Sequence, residues 1–231
     1  MLKLLLTPYY FNKLSKVIIP ILAISTCVMM IIGLYLALIV SPVDYQQGEF
    51  VRIMYVHVPA SWMALGVYVF MAACSFSYLV WKTTISYLLA VASSDVGATF
   101  TLISLVTGSL WGKPIWGAWW VWDARLTSML ILFLLYLSYI IIVNSADNIR
   151  KAQNPSSIIA LIGLINIPVV KFSVNIWYSL HQPASVLRLG SPTIHSSMLK
   201  PLIIMFISFI LYFLLVLLLR TSILIDKIKN R

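Results

Sequence analysis

Val17-Ile18-Ile19-Pro20-Ile21-Leu22-Ala23-Ile24-Ser25-Thr26-Cys27-Val28-Met29-Met30-Ile31-Ile32-Gly33-Leu34-Tyr35-Leu36-Ala37-Leu38-Ile39-Val40 is a run of 24 residues without a charge. As a helix rising about 1.5 Å per residue it is long enough to cross the roughly 30 Å hydrocarbon layer of a bilayer. It is too long for a signal-peptide core and no A-x-A pattern ends it, so a retained anchor is expected. Five more apolar runs follow, roughly Val58–Trp81, Tyr87–Leu110, Arg125–Asn144, Ile158–Trp177 and Leu199–Arg220. The expected fold is therefore all-α, a polytopic membrane protein of six transmembrane helices, with residues 1–231 forming one domain. No internal repeat and no low-complexity linker interrupts the pattern.

The composition agrees. Of 231 residues, 61% are hydrophobic and only 10% charged, with a mean hydropathy of +0.99. Soluble domains carry about a quarter charged residues, so an ordinary soluble enzyme and a disordered chain are both excluded. The net charge of +10 reflects lysines and arginines at the ends of the apolar runs and does not mark a nucleic-acid surface. Ten of these cations fall on the side holding both termini and the 82–86 and 145–157 gaps. Five (Arg52, Lys113, Arg125, Arg188 and Lys200) fall on the other. The excess puts both termini in the cytoplasm or its equivalent and the longer loops on the outer, periplasmic face. Cys27 and Cys74 lie inside apolar runs, and nothing reads CxxC or CxxCH. Two charges, Asp95 and Lys171, fall within spans and so are candidates for function. Their estimated depths do not favour a direct pair.

The outer gap Trp111–Ala124 carries the chemistry. It reads Trp111-Gly112-Lys113-Pro114-Ile115-Trp116-Gly117-Ala118-Trp119-Trp120-Val121-Trp122-Asp123-Ala124, with five tryptophans in twelve residues. Interfacial tryptophans are common, but five around two glycines and a proline exceed a simple aromatic belt. Gly112, Pro114 and Gly117 are expected to break the helix here, giving a shaped surface segment. Large rings presented together form a platform for a large flat apolar ligand. His57 and His181 end flanking spans on the same face, and imidazole is a common axial ligand of haem iron. Arg52 and Arg125 are on the same side and could pair with haem propionates in bidentate geometry. Lys113 and Arg188 are expected further out, and His195 is expected to serve a surface or packing role.

The stretch WGKPIWGAWWVWDARLTS closely resembles the WWD signature of the haem-handling membrane proteins of cytochrome c maturation. YVHVPASW around His57, TGSLWGKP before the platform and SLHQP around His181 extend the resemblance over essentially the whole chain. Other WWD proteins of the same pathway are larger, with more spans. The resemblance implies that b-type, non-covalent haem is bound at the outer face of the bacterial inner membrane, with a mitochondrial inner membrane as the alternative. It implies His57 and His181 as axial ligands and Trp111, Trp116, Trp119, Trp120, Trp122 and Asp123 as the platform. It implies partners as well: a membrane-anchored haem chaperone that receives haem covalently, an ABC-type ATPase and permease, and a small single-span subunit, all in membrane lipid and without nucleic acid. No GxxxxGK[ST] is present, so a transfer subunit is expected, not an enzyme, and ATP-derived work would come from a partner. Two alternatives stay open: a b-type electron-transfer cytochrome and a stand-alone haem transporter. Histidines at helix ends argue against the first. The missing inverted repeat argues against the second.

Overall fold

The computed structural model describes residues 7–177, 179–182, 185–186, 188 and 190–229. Lys3, Arg231 and Pro183 of the SLHQP stretch lie outside them. Helix α1 spans Pro8–Tyr35 and continues as a π-helical turn over Leu36–Val40. A 3-10 turn at Glu49–Ile53 leads into α2, Met54–Trp81. Then come α3, Thr84–Trp116, and α4, Ala124–Ser145. The fifth crossing is built from two pieces, α5 at Ile149–Gly163 and α6 at Asn166–Ile176. The last is α7, Ser196–Lys229. There is no strand among the described residues, and six segments are long and apolar enough to cross a membrane. Lipid offers backbone groups no hydrogen bonds, so each crossing satisfies its own as a helix.

Two boundaries differ from the sequence expectation. The platform is not all loop: α3 runs through Gly112 and Pro114 to Trp116, and the turn comes only at Gly117, with φ +77°. Pro114 lies in the last turn, where one missing N–H leaves the helix nearly complete. The Gly117 N–H donates to the Lys113 carbonyl at 3.1 Å, and its left-handed backbone suits glycine. The fifth helix starts nine residues early, at Ile149 instead of Ile158, with the Asn148 side chain accepting from the Lys151 N–H at 3.0 Å. It then breaks at Leu164 and Ile165, whose N–H groups donate three residues back to Leu161 and Ile162. Pro168, in the first turn of α6, cannot supply the backbone donor of an unbroken helix.

Two glycines bring helices together. A Cβ on Gly97 of α3 would lie 2.2 Å from the Tyr136 ring of α4. One on Gly163 of α5 would lie 1.8 Å from the Tyr68 hydroxyl of α2. Tyr68 and Tyr136 meet edge to face at 4.9 Å, and the Tyr136 hydroxyl donates to the Ala64 carbonyl at 2.8 Å. Around them Ala60, Ala64, Ala90, Ala92 and Ala98 are buried, as expected where close packing between helices replaces the hydrophobic drive of water. Asp95 of α3 is paired with Arg220 of α7, so the in-span acid has a cation at hand that is not Lys171. Near the termini Asn12 donates to Asp226 at 3.0 Å. The crossings alternate, so the starts of α2, α4 and α7 and the ends of α3 and α6 gather at the opposite end.

Candidate functional site

At that end a cavity of about 620 Å³ opens among α2, α3, α4, α6, α7 and the segment after α6. Both His57 and His181 line it. His57 is in the first turns of α2, and its Nδ1 lies 3.0 Å from the Ser104 carbonyl oxygen and 3.1 Å from Thr107 Oγ1. A carbonyl can only accept, so Nδ1 carries the proton and Nε2 keeps its lone pair. Gly108 makes room for the ring, since a Cβ there would sit 3.0 Å from His57 Cε1.

His181 is oriented by Asp123. One carboxylate oxygen accepts the Leu126 N–H at 2.8 Å and caps α4. The other accepts from the Ser179 hydroxyl and lies 3.5 Å from His181 Nδ1. The Ser179 oxygen in turn accepts the His181 backbone N–H at 3.1 Å. Burial pushes the Asp123 carboxyl up, but these hydrogen bonds together hold it below its ordinary value, so it is ionised. Burial lowers the His181 pKa, while the Asp123 carboxylate raises it in part; the net direction is down. Both imidazoles therefore offer Nε2, the arrangement in which an outer hydrogen bond fixes tautomer and ring orientation of a metal-binding histidine. His195 is different. Its Nδ1 accepts the Ser197 N–H at 3.3 Å at the start of α7, and it lies outside the cavity.

The tryptophans divide into two sets. Trp111, Trp116 and Trp120 line the cavity. Trp111 packs edge-on against His57 at 5.7 Å and donates its indole N–H to Gln47 at 2.9 Å. Trp116 packs against His181 at 4.8 Å. Trp119 and Trp122 are 55% and 77% exposed and turn away from it. The Lys113 ammonium lies 5.9 Å from the centre of the Trp119 ring.

The arginines divide too. Arg125 lines the cavity, with its guanidinium donating to Ser173 Oγ and to the Lys171 carbonyl, each at 3.4 Å. Arg52, expected near the ligand rim, does not line it. It is ion-paired with Glu49 and donates to Ser41 Oγ at 3.0 Å and to the Ala37 carbonyl at 3.3 Å. Glu49, three residues earlier on the same 3-10 turn, captures it. Lys171 is a wall residue that the sequence expectation left without a role. Its signal was visible as an ionisable residue inside an apolar run.

Fold and site together define a polytopic all-helical membrane protein with two oriented imidazoles in an aromatic-walled cavity. The family model described as heme exporter protein C (CcmC) matches residues 1–231. The chain belongs to that family. It is 44% identical to heme exporter protein C of Bradyrhizobium diazoefficiens, over 90% of this chain and 79% of that protein. It is 46% identical to a ccmC-like mitochondrial protein of cytochrome c biosynthesis from Marchantia polymorpha, over 89% of this chain and 87% of the relative. For heme exporter protein C of Escherichia coli K12 the identity is 46%, over 71% and 67% of the two chains.

Proposed function

We propose that this chain is a single six-helix haem-handling domain. It holds b-type haem non-covalently at the outer face of the membrane and delivers it to a membrane-anchored haem chaperone for cytochrome c assembly. Haem is the cargo. His57 and His181 ligate its iron, Trp111, Trp116 and Trp120 contact its ring, and Asp123 positions His181. Arg125 pairs with a propionate, because a buried carboxylate is costly without a partner. The observation that carries this reading is the pair of Nε2-presenting imidazoles on one cavity of about 620 Å³. That volume is typical of a pocket for a medium-sized organic ligand. The exposed Trp119 and Trp122 offer the chaperone an aromatic contact, and covalent attachment occurs on the chaperone. An ABC-type ATPase and permease and a small single-span subunit complete the assembly, in the bacterial inner membrane or, as the alternative, a mitochondrial one.

The test is a spectrum of the protein purified after co-expression with the chaperone. Wild type is expected to show low-spin haem with two histidine ligands. His57→Ala and His181→Ala should each change that spectrum and abolish delivery, and His195→Ala should do neither. An unchanged spectrum in His57→Ala rejects the assignment. Fast, reversible electron exchange with a quinol and no transfer to the chaperone would instead support a b-type cytochrome.

A further inference from the structure

We propose that Lys171 is a carboxylate-binding residue of the cavity, acting beside Arg125 on the acidic edge of the cargo. The inference rests on the haem reading above and adds the residue that reads the ligand's second carboxylate. Lys171 lies on α6, inside the fifth membrane-crossing segment, and lines the same cavity as the two histidines. The Arg125 guanidinium donates to the Lys171 backbone carbonyl at 3.4 Å, so α4 and α6 bring both cationic residues to one wall. Among the described residues lining the cavity there is no aspartate or glutamate. The nearby carboxylate, Asp123, is committed to Leu126, Ser179 and His181.

A lysine within a membrane span is costly and is retained where it faces an interior cavity or a partner charge. Its ammonium carries three donors, so it can bind a ligand oxygen while keeping a contact with the protein. Two cationic residues, with no acid among the described lining residues, make a wall that selects a dianionic ligand over its neutral ester. Arg52, held by Glu49 and Ser41, does not reach this wall.

The experiment titrates the purified full chain in detergent with ferric haem and with haem dimethyl ester, following the Soret band. Wild type, Lys171→Met, Lys171→Gln and Lys171→Arg are compared. Wild type should prefer the free acid. Loss of the ammonium in the Met and Gln variants should weaken haem binding roughly tenfold, as for one charge-assisted hydrogen bond, and leave the ester unaffected. Lys171→Arg should keep the preference. The Gln variant keeps a polar head, so the test survives if the Met variant is unstable. Equal loss for haem and ester, or no loss for either, overturns the role of Lys171 while leaving the haem reading intact. A wild type that shows no histidine-dependent haem spectrum overturns that reading and this inference with it.

Discussion

Asp123 shows how much one side chain can organise. Its two oxygens cap α4, hold Ser179 and face His181, so a motif residue positions a ligand candidate 58 residues away. Asp123→Asn keeps the shape but loses the negative charge that aligns the His181 N–H. Haem affinity is expected to fall by about 10–100-fold, the usual effect of removing the outer partner of a metal-binding histidine. Full affinity in the Asn variant would show that the charge is dispensable. The pH dependence follows from His181. Its pKa is lowered by burial, so the neutral ligand form persists below the ordinary histidine value of about 6.5. Protonation competes with iron for Nε2, so haem should stay bound as pH falls through that value and be released only in more acidic solution. A Soret titration against pH reads this, and release centred above the ordinary value would contradict it.

At the scale of elements, the last turns of α3 sort the tryptophan motif. Gly108, Trp111, Gly112, Ile115 and Trp116 recur at the three- and four-residue spacing of one helix face, and all line the cavity. Trp119 and Trp122 come after the turn at Gly117 and face outward. The two sets should therefore separate by assay. Trp111→Ala and Trp116→Ala should weaken haem retention in graded fashion, since dispersion is spread over many atoms. Trp119→Ala and Trp122→Ala should retain haem yet transfer less of it to the chaperone. Loss of haem from the Trp122→Ala protein would place that ring on the ligand after all. The exposed set is well suited to a partner surface because aromatic rings supply contact area at low entropic cost.

For the whole molecule, the close approaches at Gly97 and Gly163 set the helix spacing below the cavity. Gly97→Ala would drive a methyl group into the Tyr136 ring and should cost about 1–3 kcal/mol, as other overpacked cores do. It should lower the melting temperature in detergent. Combined with Tyr136→Ala, the effect should be clearly less than additive, because the two sites share one contact. Strict additivity would mean that the cost of the methyl group does not come from the Tyr136 ring.

The apolar runs by themselves determined the number of crossings, because an uninterrupted apolar run of this length satisfies its own backbone in lipid as a helix, whereas barrel strands are shorter and alternate apolar with polar residues. The tryptophan and histidine stretches likewise marked the end of the bundle where the cavity is found. Local spacing was less informative at Gly112 and Pro114, which look like helix breakers but sit in a last turn where the helix tolerates them. Only the tertiary structure decided which charges face the cavity. Arg52 and Arg125 are alike in sequence, but a carboxylate three residues before Arg52 holds it away, while the packing of α4 on α6 brings Arg125 to the wall beside Lys171. The physical reason is range: helix formation in a membrane is settled within each span, whereas the pairing of a charge depends on neighbours from distant parts of the chain.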